Sequence, residues 1–158
     1  MHIWTIENWK EHYSDNNRSG LRLRFDNNVD TEVKRACKEF CQWLRREYYF
    51  PQRVIIYFKS SKQIKASDGE MVSATFFGPF QKDVEPYIRI STGDYEELLK
   101  RRGKDNALAA ILRSIAHELT HYFQWINDIK LTEIGYERQA KSYSEYVVYE
   151  YSQTRDHP

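Results

Sequence analysis

The sequence predicts an α+β fold in which a small sheet of about four strands, mostly antiparallel or mixed, is backed by helices on one side. Four short segments of strand character lie between residues 21 and 90, and segments of helical period lie between and after them. The 158 residues contain no low-complexity stretch or linker-like segment. We therefore expect residues 1–158 to form a single domain with one hydrophobic core.

The four predicted strands differ in their apolar pattern. Leu21–Phe25 and Tyr87–Ile90 alternate between apolar and polar residues, which is typical of half-buried strands. Val54–Phe58 is continuously apolar and β-branched, which predicts a central strand covered on both faces. Met71–Phe77 is the remaining strand, and the polar segment 60–70 before it predicts a loop.

A long amphipathic helix is predicted between the first two strands. It starts at Asp30 or Thr31 and runs to about Tyr48. Cys37 and Cys41 fall on its apolar stripe. We interpret them as buried core residues rather than as a metal or redox pair, because no other cysteine is present to complete a site.

Two shorter helices are also predicted. Thr5 can cap one that carries Trp9 and Tyr13 on one side, and residues 14–20 after it have the composition of a loop. The second follows a cap at residues 92–94 and ends at Arg102. Both helices are too short to be stable without packing against the rest of the domain.

Residues 117–121, with the sequence His-Glu-Leu-Thr-His, contain the pattern H-E-x-x-H. Because residues four apart lie on the same face of a helix, His117 and His121 can direct their imidazoles toward one point. Two converging neutral imidazoles are good zinc ligands, and Glu118 beside them can take a proton from a metal-bound water. The pattern therefore predicts the chemistry of a zinc peptidase.

The residues around this motif predict the helix that the motif requires. Asp105 or Asn106 can cap its start, residues 107–112 have high helix propensity, and residues 127–128 end it. Apolar residues recur at helical spacing along its length: Leu108, Ile111, Leu112, Ile115, Leu119, Tyr122 and Ile126. This continuous stripe predicts burial of one side of the helix.

Catalytic zinc needs a third protein ligand and one open position for water. Thr132 caps a further predicted helix, which runs from Glu133 to about Tyr151. Glu137 is followed three residues later by the small Ala140, which would let this helix press closely against the histidine helix. Glu133 lies in the first turn, where a carboxylate often interacts with the helix dipole instead. We favour Glu137 as the third ligand, with Glu133 as the alternative.

The two motifs together resemble those of a known family. His-Glu-Leu-Thr-His at 117–121, followed by Glu-Arg-Gln-Ala at 137–140, resembles the gluzincins, zinc peptidases whose third ligand is a Glu on a following helix. The short E-x-x-A form, with Tyr143 three residues after the Ala, is similar to the ImmA/IrrE-like group of small cytoplasmic peptidases. The resemblance covers roughly residues 87–146. Lys141 departs from the pattern, since that group often has Asn there, and no helix-turn-helix is evident.

The resemblance implies a zincin-like fold, with a small sheet ahead of the zinc helix, and a mechanism. Zn²⁺ would be held by His117, His121 and Glu137, and Glu118 would act as general base during attack of water on a peptide carbonyl. Tyr136 and Tyr143 are both candidates for the donor that stabilises the oxyanion. A protein or peptide substrate would lie as an added strand along a sheet edge, at residues 71–77 or 87–90.

Two other kinds of function are compatible with the same residues. One is a catalytically inactive, zinc-containing binding module that acts through protein–protein interaction. The other is a helical interaction protein without metal. The formal net charge of +1 gives no reason to expect nucleic acid or an anionic membrane as partner. The first residues lack the pattern of a signal peptide and no apolar run approaches the ~20 residues of a membrane helix, so we expect a cytoplasmic protein.

Overall fold

A computed structural model describes residues 2–11 and 18–158. Its elements in chain order are a 3₁₀ helix at Asn8–Glu11, then β1 (Leu21–Phe25), α1 (Thr31–Glu47), β2 (Val54–Lys59), β3 (Ile64–Lys65), β4 (Met71–Val72), β5 (Ala74–Phe77), β6 (Tyr87–Ser91), α2 (Tyr95–Arg102), α3 (Lys104–Ile126) and α4 (Glu133–Ser152). This is the predicted α+β arrangement. Among these helices, none is both long enough and apolar enough to cross a membrane.

The main sheet has four strands in the order β1–β2–β6–β5. β2 runs parallel to β1 and to β6, whereas β5 runs antiparallel to β6 and lies at the edge of the sheet. The sheet is therefore mixed, with two of its three pairings parallel. β3 and β4 pair with each other in a separate two-stranded ladder.

Only one face of the sheet is buried. Ile56 on β2 pairs with Ile88 on β6, and both are fully buried beneath the helices. Ile55 and Tyr57, which point to the opposite face, are only half-buried. The prediction that β2 is covered on both faces is therefore wrong, although β2 is indeed an interior strand. Helices back the sheet on one side, as predicted.

The segment between β2 and β6 differs from its prediction in three ways. The predicted strand at residues 71–77 is divided at Ser73 into β4 and β5, which belong to different sheets. The predicted loop contains the short strand Ile64–Lys65. β6 has strands on both sides, so residues 87–90 offer no free edge and a substrate strand could not pair there.

α1 agrees closely with its prediction. Asp30 caps the helix, because its side chain accepts hydrogen bonds from the backbone N–H groups of Glu32 and Val33. Cys37 and Cys41 are free thiols that are fully buried in the core. The interpretation of the two cysteines as core residues is confirmed.

α3 is longer at its start than predicted. It begins at Lys104, directly after Gly103, whose φ of 81° ends α2 and turns the chain. Asp105 and Asn106 thus lie within the first turn and do not cap it. The predicted apolar stripe is buried along its whole length, with its seven members between 0 and 4% exposed. Through this stripe α3 packs against the sheet and against α1 and α4.

Of the two short predicted helices, one is present and the other is not. α2 occupies the predicted place and ends at Arg102. Near the N-terminus the chain forms a turn at residues 3–5 and then a 3₁₀ helix at Asn8–Glu11, not an α-helix capped by Thr5. Tyr13 and most of the predicted loop lie outside the described residues.

Candidate metal centre

The structure brings His117, His121 and Glu137 together at the seam between α3 and α4. The two imidazoles lie on the same face of α3, with their ring centroids 5.0 Å apart. Across the seam, Glu137 Oε2 lies 3.0 Å from Nε2 of His117, and Oε1 lies 3.0 Å from Nε2 of His121. The three side chains form a group that could hold a metal ion.

The donor atoms of this group suit a small divalent cation. Two tetrahedral ligands about 2.0–2.1 Å from zinc are separated by about 3.3 Å. The carboxylate oxygens of Glu137 lie 3.0 Å from the two imidazole nitrogens, which is close to this separation. Burial lowers the pKa of His117, and the neighbouring His121 lowers it further, partly offset by Glu137. A lowered pKa favours the neutral imidazole, which is the form that binds metal.

Gln124 fixes the orientation of His121. The Gln124 amide nitrogen donates to the carbonyl of Tyr136 (3.1 Å) and to the side-chain oxygen of Gln139 (3.0 Å). The amide oxygen therefore points toward His121, where it lies 2.7 Å from Nδ1. An amide oxygen can only accept, so Nδ1 of His121 is the donor in this contact, which leaves Nε2 as the ring nitrogen that could bind a metal ion beside Glu137.

Glu118 lies beside the two histidines but does not belong to the ligand group. Its side chain is buried, with 7% of the residue exposed. Burial, followed by the negative charge of Glu137, raises the pKa of Glu118 to about 8. A bound cation at the His117–His121–Glu137 group would act in the opposite direction, because positive charge favours the carboxylate. We therefore expect the protonation of Glu118 to change when a cation binds at this group.

A groove crosses this centre. It consists of two adjoining cavities of about 810 and 780 Å³, which share Glu70, Phe76, His121 and Glu137 in their walls. β5 lines one side and α4 the other. Glu118 lines the part of the groove beside β5. The groove is large enough for a peptide segment of several residues.

The wall formed by β5 is a strand edge. Ser91 donates its backbone N–H to the carbonyl of Ser73 (2.8 Å), so Ser73 faces β6. Alternation in an antiparallel pair then turns the backbone groups of Ala74 and Phe76 away from β6. No strand of residues 2–11 and 18–158 pairs with this outer edge. Of the two edges predicted for a substrate, residues 71–77 therefore contain one that is available, at β5.

The position of β5 depends on a close contact at its end. A Cβ atom at Gly78 would lie 2.6 Å from the indole ring of Trp125 and 2.8 Å from the ring of Phe76, so only glycine fits there. Trp125 also donates its indole N–H to the carbonyl of Pro79 (2.8 Å). These contacts attach the chain after β5 to the last turn of α3, four residues beyond His121.

Three other residues were considered from the sequence, and they differ in whether they line the groove. Glu133 lines the groove but is not a member of the ligand group. Tyr136 also lines it, and its hydroxyl donates to the carbonyl of Ile129 (2.9 Å). Tyr143 is not among the groove-lining residues. Its hydroxyl accepts a hydrogen bond from the backbone N–H of Ile3 (3.1 Å).

Sequence reasoning missed Gln124. The available signal was its spacing, three residues after His121, which places the two side chains on one side of a helix. The spacing alone does not show which way the amide points, because its orientation is set by Tyr136 on another helix.

Comparisons of the chain with models of known protein families, with curated proteins and with solved structures found no significant match in any of the three. The geometry of the site and the sequence motifs are therefore the features that bear on function.

Proposed function

We propose that this protein is a zinc-dependent endopeptidase of zincin-like architecture, similar to the gluzincins. The observation that supports this best is the convergence of His117, His121 and Glu137, which lie beside the buried Glu118 in a groove bordered by a strand edge. The two histidines and Glu137 would hold the metal, leaving Glu118 for proton transfer. A zinc ion at this site acts as a Lewis acid and lowers the pKa of bound water to about 7.

In this proposal Glu118 moves the proton. Its carboxylate takes a proton from the attacking water and returns it to the leaving nitrogen of the cleaved peptide bond. The buried position of Glu118 supports this role, because a general base works best when its pKa lies near the working pH. The pKa of Glu118 is about 8 in the protein without metal, and a bound cation would lower it.

A substrate in this proposal binds in extended form beside β5. The outward backbone groups of Ala74 and Phe76 can pair with a peptide as with an additional strand. Such pairing gives affinity through the main chain and places the peptide between β5 and α4, which carries Glu137. The substrate class is therefore an extended segment of protein or peptide.

Of the two tyrosines considered for the oxyanion, we propose Tyr136. It is a wall residue of the groove, whereas the hydroxyl of Tyr143 is engaged by Ile3. Tyr136 would have to exchange its hydrogen bond with the Ile129 carbonyl for one with substrate. Catalytic hydrogen bonds are often completed only when substrate is bound, so the present contact is compatible with this role.

The deciding experiment combines metal analysis with one conservative substitution. Protein purified without chelator should contain about one zinc per chain, and Glu118→Gln should retain that zinc. Turnover is measured on unfolded proteins and on candidate partner proteins of the same organism. Loss of the general base should slow cleavage by about 10² to 10⁴. Glu145→Gln is the matched control, because Glu145 lines the same groove but lies outside the ligand group.

Each outcome separates the candidate functions. Protein that binds no divalent metal in its folded state contradicts the proposal and leaves the metal-free interaction protein. Full zinc occupancy without turnover of any tested substrate supports the zinc-containing binding module. Equal cleavage by wild type and Glu118→Gln shows that Glu118 is not the base.

A further inference from the structure

The N-terminal segment at residues 2–9 packs against both helices that carry the candidate ligands. Trp4 is 2% exposed and donates its indole N–H to the hydroxyl of Thr120 on α3, over 3.1 Å. Its ring lies against Phe123 on α3, with centroids 5.0 Å apart. On α4, the hydroxyl of Tyr143 accepts the backbone N–H of Ile3. No residue of this segment lines the groove.

Thr120 lies inside the H-E-x-x-H motif and is fully buried. Its hydroxyl donates to the carbonyl of Ala116 (2.8 Å) and accepts from Trp4. Successive residues of a helix are about 100° apart, so Thr120 and Glu118 flank the direction of the histidine pair on opposite sides. A contact at Thr120 therefore restrains the rotation of α3 that aims both imidazoles.

Further contacts hold the two ends of the segment. The ring of His2 packs against three tyrosines, with centroid distances of 5.5 Å to Tyr48, 4.9 Å to Tyr143 and 5.4 Å to Tyr146. At the other end, the backbone N–H of Trp9 donates to the side-chain oxygen of Asn127 at the end of α3 (3.1 Å). The segment is thus attached to α3, to α4 and to the end of α1.

We propose that residues 2–9 form a strap that holds α3 and α4 at the separation in which Glu137 meets His117 and His121. Trp4 is a positioning residue in this strap and acts on the centre through Thr120. The inference rests on the proposed metal site. Because coupling between two binding events is reciprocal, metal binding should in turn stabilise the docked strap.

Four variants test the role of the Trp4–Thr120 hydrogen bond. Trp4→Phe keeps an aromatic ring and removes the donor, whereas Thr120→Val removes the acceptor at nearly constant volume. Thr120→Ser keeps the hydroxyl and should preserve metal affinity. Phe58→Leu is the control for general stability, since Phe58 is fully buried on β2 and its ring stacks on Phe25 of β1, away from the strap. Zinc affinity is measured by competition with a chelating dye.

We expect Trp4→Phe and Thr120→Val each to weaken zinc binding about threefold to tenfold, below the roughly 10- to 100-fold loss typical of groups that contact a ligand directly. The double variant should lose no more than either single variant, because both remove the same hydrogen bond. Phe58→Leu should lower thermal stability without changing zinc affinity. Zinc should also slow hydrogen exchange of the Trp4 indole N–H in the wild type.

The outcomes distinguish the strap from the metal site itself. A wild type that binds no divalent metal overturns the proposed function together with this inference. Zinc binding by the wild type with unchanged affinity in both Trp4→Phe and Thr120→Val overturns the strap alone. Equal weakening by Phe58→Leu also overturns it, because the effect would then be one of general stability. If Trp4→Phe does not fold, the comparison of Thr120→Val with Thr120→Ser decides.

Discussion

The side-chain oxygen of Gln124 lies 2.7 Å from Nδ1 of His121. In this contact Nδ1 of His121 donates to the amide oxygen, so Nε2 is the ring nitrogen that would bind a cation at the candidate centre. Gln124 is held in turn by the carbonyl of Tyr136, one residue before Glu137. A single amide thus connects a ligand on α3 with the turn of α4 that carries another ligand.

Replacing Gln124 should therefore weaken metal binding. Gln124→Met keeps the length of the side chain but loses the acceptor for His121, and we expect zinc affinity to fall about tenfold. Gln42→Met makes the same substitution at an exposed position of α1 and should leave affinity unchanged. Isothermal titration with zinc measures both. Equal affinities for the two variants would contradict the role assigned to Gln124.

The choice between Glu137 and Glu133 is tested by a pair of identical substitutions. Glu137→Gln removes the carboxylate that lies 3.0 Å from both imidazoles and should weaken zinc binding at least about 100-fold. Glu133→Gln changes a groove residue outside the ligand group and should have little effect. The reverse ranking in a zinc titration would identify Glu133 as the ligand.

Zinc should raise the thermal stability of the wild type. A ligand at about 100 times its dissociation constant stabilises the folded state by about 2.7 kcal/mol, which for a domain of this size corresponds to roughly 5–10 °C. Scanning calorimetry with added zinc and with chelator measures the difference. His121→Ala should melt at the same temperature under both conditions. A shift retained in His121→Ala would show that the metal binds elsewhere.

Glu32 should make stability depend on pH in the acid range. Hydrogen bonds first from Arg35 and then from Lys104 lower the pKa of Glu32 to about 2. Because the pKa is lowered in the folded state, the unfolded state binds the proton more readily. The stabilisation that Glu32 gains from Arg35 and Lys104 is therefore present above about pH 4.5 and is lost as the pH falls toward 2. Glu32→Gln should therefore lose less stability than the wild type between pH 5 and pH 3 in thermal melts.

Salt concentration provides a control for the pH dependence of stability that we attribute to Glu32. The side chain of Glu32 is 37% exposed to solvent, so 1 M salt should reduce the difference between the wild type and Glu32→Gln. A difference that is unaffected by salt would show that the substitution acts through packing or through the start of α1.

The two cysteines should resist thiol reagents in the folded protein. Burial raises the pKa of Cys41 to about 12 and raises the pKa of Cys37 well above its ordinary value. The reactive thiolate is thus scarce at pH 8, and neither sulfur is accessible. A colorimetric thiol assay should detect both groups only after unfolding in denaturant. Rapid reaction of either thiol in the native state would contradict its place in the core.

The hydrophobic period was sufficient to predict the helices α1, α3 and α4 and the existence of the main strands. The stripe on α3 is continuous, and a helix of this kind has one stable way to bury it. The apolar residues of β2 were misleading, because Ile55 and Tyr57 remain half-exposed. Apolar side chains are common on protein surfaces, so a continuous apolar run does not establish that both faces of a strand are covered.

The hydrophobic period could not predict the direction in which the strands pair or the residues that surround the candidate site. β2 and β6 are joined by a long segment, and local pattern contains no information on whether such strands run parallel. Spacing predicted that His117 and His121 converge, because they share one helix face. Glu137 was chosen on a different ground, the small Ala140 three residues after it. The roles of Gln124 and Tyr143 depend on Tyr136 and Ile3, which are distant in sequence or on another element.

The attachment of the N-terminal segment also has a consequence for the order in which the protein is completed during synthesis. Ile3 contacts Tyr143, 140 positions later, and Trp4 contacts Thr120, 116 positions later. Ile3 and Trp4 are therefore synthesised well before the helices that they contact, and they reach their native places only after those helices exist. Since the sheet and α1 come from earlier parts of the chain, they can fold while the groove is still incomplete. A nascent chain that lacks α4 has neither Glu137 nor the contact between that helix and Ile3, which delays formation of the candidate centre until α4 has been synthesised.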